Sequence, residues 1–297
     1  MNRLRTLGVT LLCLLPIGCG VLARHGPVDP SLADFVLPDT IAMAGARLDQ
    51  LRATPLYRKL EERGRLPRFD RFRTEFGFDP GKDMRQLLLA SDGQNALAIG
   101  QLSQPAQPPL GLPSSAYHGY TIYTRDSHTA MASVGHKIVL GGETGAVQAA
   151  IDRYKSGRGG APRDLMARAE SLPPDAQIWA VVSGWRGLPP DEIHALGNFG
   201  NVDRVLRLVD SGTLTVDFRS GLHAAFKGDS RNDTDAKSLA DSLSGLVLLA
   251  RMGVSRAAPA SRADLIKALE AIQVKQQGRA VLVNIDIPED LAERFTQ

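Results

Sequence analysis

Two periodicities alternate along this chain. Apolar residues at spacings of three and four mark helices, and strict alternation or short apolar runs mark strands. Ile41-Ala42-Met43-Ala44 reads as a short buried strand. Leu48, Leu51, Leu56 and Leu60 give residues 49–63 helical character, with Pro55 marking a fresh first turn. Phe69, Phe72 and Phe76 share a helical face that Gly77 ends. Asp79-Pro80-Gly81 predicts a turn, Lys82 to Leu88 a short helix, and Leu88 to Ser91 a strand that Asp92-Gly93 folds back onto Ala96 to Ile99. Four prolines between Gln101 and Ser115 exclude regular structure there. Tyr117 to Tyr123, Ala130 to Val134 and Ile138 to Leu140 are β-rich, the last two joined at Gly135-His136-Lys137. A helix follows, in which Val147, Ala150, Ile151 and Tyr154 share one face.

Leu172-Pro173-Pro174-Asp175 and the strand Ile178 to Val182 echo Leu37-Pro38-Asp39 and its strand, which suggests an internal duplication. The next hairpin can be read to its register. Leu214, Val216 and Phe218 alternate, as do Leu222, Ala224 and Phe226, and residues directly opposite share a face. A two-residue loop would set Phe218 against His223 and mix the faces. The three-residue loop Arg219-Ser220-Gly221 pairs Phe218 with Leu222 and gives Gly221 the left-handed position. It also makes Asp217 and His223 cross-strand neighbours. Asn232-Asp233-Thr234 caps a helix with a stripe of Ala236, Leu239, Ala240, Leu243, Val247 and Ala250. Ser261 with Asp264 suggests a capping box for another helix. Gly278 turns a hairpin whose Val281, Val283, Ile285 and Ile287 share a face, and Pro288-Glu289-Asp290 starts a final short helix.

The expected fold is therefore α+β: two related units, each a mainly antiparallel sheet with helices packed on one face. The expected division is a signal peptide over 1–18, a tether over 19–35 with little periodicity, a first unit over 36–160 and a second over 161–297.

The signal reading rests on Arg3 and Arg5, the uncharged run of about 11 residues from Leu7 to Ile17, and Gly18-Cys19. That run is too short to span a bilayer, which needs about 20 apolar residues. Cys19 is the candidate for lipid attachment, although Pro16 stands where a lipobox usually has Leu and Leu15 lies one step earlier. The expected location is the periplasmic side of a bacterial membrane, lipid-anchored; the alternative is ordinary cleavage to a soluble periplasmic or secreted protein. Cys13 and Cys19 are the only cysteines, so a processed and acylated chain keeps no free thiol. That suits an oxidising compartment and leaves no thiolate for zinc, for iron–sulfur clusters or for catalysis.

Charge adds little. The formal net charge is +3, and it falls to +1 when the two signal arginines are removed. Charges of both signs are interspersed, so no electrostatic footprint for nucleic acid is present.

Sites for chemistry are scarce. Gly141-Gly142-Glu143-Thr144-Gly145 lies between a strand and a helix, yet has neither the dinucleotide fingerprint nor the lysine of a P-loop, and reads as a tight turn with a Thr helix cap. No two of the six histidines stand three or four residues apart, so no metal site is expected on a helix. His118 and His128 with Asp126 read as surface-loop residues. Trp179 and Trp185 read as one core and one loop residue. Asp217 and His223 are the candidates for a polar site, as two parts of a triad, but GxSxG is absent and an exposed ion pair is the default. No catalytic residue, cofactor or metal is assigned.

The runs Phe76-Gly77-Phe78-Asp79-Pro80-Gly81-Lys82-Asp83, Leu87-Leu88-Leu89-Ala90-Ser91-Asp92-Gly93 and Ala96-Leu97-Ala98-Ile99, with Leu37-Pro38-Asp39-Thr40 and the helix Ala146 to Asp152, together resemble uncharacterised envelope proteins of the acidobacterial type, related in pattern to the bacterial DUF3352 group. The resemblance implies a signal or membrane segment ahead of a duplicated α+β body. It carries no activity and no functional residues. The N-terminal run here is shorter than the transmembrane helix of some members. The expected function is a non-enzymatic module that binds an envelope protein or acts as a scaffold; the alternative is a carrier or binder of an apolar ligand held between helices and a curved sheet, and the least favoured is a hydrolase.

Overall fold

The computed structural model describes residues 26–64, 73–74, 77–109, 111–158, 160–184, 207–254 and 259–295. Cys13, Cys19, His25, Phe69, Phe72, Phe76, Trp185 and His194 lie outside these residues, and so do the signal and residues 19–25 of the expected tether; residues 26–35 instead pack into the first half, with Leu32 and Phe35 buried in its core.

The expected α+β fold is present, and its strands run through a single 12-stranded sheet in the order β11-β12-β10-β9-β8-β1-β2-β3-β7-β6-β5-β4. The strands are β1 (Ala42–Arg47), β2 (Met84–Ser91), β3 (Ala96–Leu102), β4 (Ser114–Tyr117), β5 (Tyr120–Thr124), β6 (Thr129–Val134), β7 (Ile138–Glu143), β8 (Ile178–Ser183), β9 (Ser211–Asp217), β10 (Gly221–Asp229), β11 (Ile272–Gln277) and β12 (Ala280–Pro288). Outward from the centre the first half reads β1-β2-β3-β7-β6-β5-β4 and the second β8-β9-β10-β12-β11, the same order but for the added β5-β4 hairpin at the edge. The halves meet where β1 pairs antiparallel with β8, Gly45 opposite Trp179. Trp179 is 2% exposed. Its indole lies so close over Gly45 that a Cβ there would come within 2.4 Å of ring atoms, so this join admits no side chain at position 45.

Helices cover opposite faces of the two halves. Over the first half, α1 (Pro30–Ala33), α5 (Thr144–Ser156) and α6 (Arg163–Glu170) cover the front face. There Leu32, Val147, Ile151 and Leu165 pack on Leu88, Ile99, Leu140 and Trp179 in the largest core. Over the second half, α7 (Asp233–Gly253) lies on the rear face, with Ala236 and Leu239 against Val281 and Phe226. The short α9 (Glu289–Arg294) seats Leu291 against Ile287 and Leu56 on that same face. Leu56 belongs to α3 (Pro55–Glu62), which follows α2 (Leu48–Arg52) and starts at Thr54, whose hydroxyl accepts from Tyr57 N.

Local patterning accounts for most elements. The β9–β10 hairpin pairs His223 with Asp217, Ala224 with Val216 and Phe226 with Leu214, the register that alternation predicts. Gly221 has φ +123, a conformation that other residues adopt only with strain. Asn232 caps α7 by accepting from Asp235 N at 2.8 Å. Some boundaries differ. The helix expected to reach Leu88 stops at Asp83, as α4 (Pro80–Asp83), because β1 recruits the residues beyond it as β2. Glu143, not Thr144, precedes the first turn of α5, and the Thr144 hydroxyl donates to the His128 carbonyl instead. The next helix, α8 (Pro259–Glu270), begins before Ser261, so Ser261 is inside the helix rather than at its cap. Asp264 accepts from Arg294 Nε at 2.9 Å.

Candidate functional site

Two depressions have different chemistry. The first is polar, about 540 Å³, on the front face of the second half. Cross-strand register brings Asp217, His223 and Asp286 into one row there. Asp217 does not partner His223. Its carboxylate accepts from Arg219 Nε at 2.7 Å and Arg219 N at 2.8 Å. Arg219 also donates to Asp175 Oδ2 at 2.5 Å. Hydrogen bonding from Arg219 holds the Asp175 carboxyl below its ordinary range. Burial pushes Asp217 up, but the bonds from Arg219 outweigh it and its pKa is also lowered. The Arg219 guanidinium is raised by the same two carboxylates. His223 turns to β12 instead: Nδ1 lies 2.7 Å from Asp286 Oδ1, and Nε2 lies 3.1 Å from Ser220 Oγ. This order of groups has the reach of a nucleophile, base and orienting acid. Water surrounds it, however, for the Asp286 side chain is 75% exposed, and Ser220 Oγ shares the ring nitrogen with its own carbonyl at 3.2 Å. The row is best described as a solvated ion-pair surface that stiffens a hairpin.

The other histidines do not assemble. His118 sits in the β4–β5 turn, 3.5 Å from Asp152, and His128 sits at the other end of β5, beside Ser127 at 2.7 Å. Among the described residues no cluster of His, Cys, Asp and Glu is placed to hold a metal.

The second depression is apolar and lies on the rear face of the first half, which the large core leaves uncovered. It encloses about 320 Å³. Its floor is β3, where Ala96, Ala98 and Gly100 are successive residues on one face. Leu87 and Leu89 of β2 form one wall, and Val139 of β7 with Met131 of β6 the other. Opposite Ala98 stands Gly141, where a Cβ would meet no atom within 4 Å. Large residues on the front face and small ones on the rear are what create this space.

One end is closed by Phe78 and Met84, each 5% exposed. Local bonds hold that end in place. Asp79 caps α4 by accepting from Gly81 N at 2.9 Å, and Arg52 donates to the carbonyls of Gly81 and Met84, both at 3.0 Å. The other end opens at Ala96 and at Leu89, which is 43% exposed. Thr129 is the one polar side chain among the lining residues. Sequence reasoning did not find this trough. Its signal was available in Ala96, Ala98 and Gly100, small residues at period two on the face opposite Leu97 and Ile99.

A wider apolar groove of about 450 Å³ lies between α7, α8 and the second-half strands, lined by Leu222, Val254, Leu265, Leu269 and Ile287. Beside it the predicted stripe of α7 packs only along its first half. From Leu246 onward the helix is apolar nearly all round, and Leu248 and Leu249 are exposed, Leu249 at 63%.

Fold and geometry together define an α+β protein with one continuous antiparallel sheet and an apolar trough on the rear face of its first half. No family model matches the chain, and no curated protein sequence matches it. It is similar to solved structures of TP0453: crystal form I at 12% identity and TM-score 0.48, covering 91% of this chain and 95% of that one; crystal form IV at 12% and 0.49, covering 91% and 97%; and crystal form III at 12% and 0.48, covering 91% and 98%. Among the described residues no helix is long and apolar enough to cross a membrane.

Proposed function

We propose that this is an exported envelope protein, tethered through a lipid on Cys19, that binds an apolar ligand in the rear-face trough. The observation that carries the reading is the trough itself. A space of about 320 Å³ with almost wholly apolar walls lies at the lower end of the range for small-molecule sites. Water in it would meet almost no hydrogen-bond partners, so replacing that water with hydrocarbon is favourable. Export and tethering rest on residues 1–19 and are tested by mass spectrometry of the mature N-terminus: a diacyl or triacyl Cys19 is expected, and an unmodified Cys19 contradicts it. For the ligand, the full chain is stripped of lipid, mixed with dodecanol and measured by native mass spectrometry. A one-to-one adduct that Gly141→Phe abolishes is expected. Bare protein throughout contradicts the reading.

A second reading, a protein-binding or scaffold module, is favoured by the outer half of α7, where Leu246, Leu248 and Leu249 present an exposed apolar surface. Its test is cross-linking in intact cells, in which Leu248→Glu/Leu249→Glu removes a partner that the unaltered chain captures. The common strand order of the halves supports descent from one duplicated unit.

A further inference from the structure

We infer that the occupant of the trough is one unbranched hydrocarbon chain, the tail of a single-chain lipid whose polar head stays outside. This rests on the reading of the trough as a ligand site and adds the shape, direction and chemistry of what fills it.

Width comes first. At Gly100 the walls stand on the strands that flank the floor, Leu87 on β2 and Val139 on β7; at Ala98 the floor widens to Gly141 and the far wall is Met131 on β6. Adjacent strands lie about 4.8 Å apart, so wall backbones are separated by roughly 10 Å at the closed end and roughly 14 Å at the mouth, and the side chains at the closed end leave room for one chain. A rigid fused-ring system is too wide for that closed end. Length follows from the floor: Ala96 to Gly100 is four residue steps, about 13–14 Å at strand rise. Volume agrees. A dry cavity of about 150 Å³ takes one benzene, so about 320 Å³ takes about a dozen carbon atoms.

Direction follows from the ends. Phe78 and Met84 close one end, so the terminal methyl enters there and the head is left at Ala96 and Thr129. No charged side chain lines the interior. At the mouth stand Glu143, paired with Thr129 across the β6–β7 ladder, and Arg125, whose N–H donates to the Thr129 carbonyl at 3.0 Å. The lining itself offers no charged group to select an anionic or a cationic head. The recognised chemistry is the uncharged chain.

The test uses the lipid-stripped full chain with 1-aminoanthracene as a fluorescent probe. Primary alcohols and carboxylates of 6 to 16 carbons, and a rigid tetracyclic steroid, compete with it. Affinity is expected to rise up to about fourfold per methylene, to level off near 12 carbons, and to differ little between alcohol and carboxylate of one length. The steroid should not displace the probe. Gly141→Phe and, as a second variant on the facing strand, Ala98→Leu should each weaken dodecanol binding at least tenfold while circular dichroism stays unchanged. Steroid binding as tight as dodecanol, or no plateau with length, overturns the single-chain inference and leaves the trough a ligand site. Dodecanol binding unchanged in both folded variants, or no binding by chain or ring, overturns the trough as a site altogether.

Discussion

Adding one methyl group at Gly45 tests the join between the two halves. The Cβ of Gly45→Ala would lie within 2.5 Å of three Trp179 ring atoms, far inside van der Waals contact. The indole is a stiff, fully enclosed group, so either the ring or the β1–β8 ladder must move. Overpacking of this kind costs about 1–3 kcal/mol. Replacing glycine within a strand returns about 0.5–1 kcal/mol by reducing the freedom of the unfolded chain. The net destabilisation is about 1–2 kcal/mol, or roughly 2–3 °C in Tm for a chain of this size. Gly141→Ala is the matched control, because its Cβ meets nothing within 4 Å; it should be neutral or slightly stabilising. Urea denaturation followed by circular dichroism measures both, and tryptophan emission of the folded Gly45→Ala protein reports the displaced ring. Equal stabilities for the two variants, or a Gly45→Ala protein as stable as the parent, would refute the reasoning.

Three further outcomes are expected. Asp175 and Asp217 have lowered folded pKa values, so their contribution to stability is present above the unfolded carboxylate value near 3.9 and is lost as pH falls through the folded values. Arg219→Gln should therefore make the loss of stability below about pH 4 shallower, which acid titration of urea midpoints would show; an unchanged slope counts against the Arg219 pairing. Asn232→Ala removes the α7 cap and should cost about 1 kcal/mol, whereas Asn232→Asp should be nearly neutral, both read from denaturation midpoints. Ser220 should resist a fluorophosphonate probe under native conditions, since its histidine–aspartate partners are solvated; stoichiometric labelling at Ser220, lost in His223→Ala, would show instead that the polar cleft is a reactive site.

Where the chain alternates between burial and exposure, its structure was legible in advance. The β9–β10 register followed from Phe218, Leu222 and Gly221 alone, because a one-residue slip would move every side chain to the wrong face. The first turn at Pro55, the cap at Asn232 and the last hairpin at Gly278 were equally local. What failed had non-local causes. Met84 to Leu87 have a helix-like pattern, yet β1 on one side and β3 on the other claim them as strand. The pairing of β1 with β8, which makes one sheet of the two halves, has no trace in either strand's composition. Asp217 and His223 were correctly placed as neighbours, but the partners they choose, Arg219 and Asp286, depend on side-chain reach and on a strand some sixty residues away. The trough escaped notice because small residues signal no packing by themselves. Ala98 and Gly141 matter only once register sets them side by side beneath larger neighbours.

Crystallography of the full chain soaked with 12-bromododecanol tests the central claim most directly, since anomalous scattering places the far end of the chain without interpretation of weak density. A bromine peak at the closed end, between Phe78 and Met84, with the hydroxyl toward Thr129, is the expected result. A peak between α7 and α8, a reversed chain with bromine at Ala96, or an empty trough in a crystal grown at saturating ligand would contradict it.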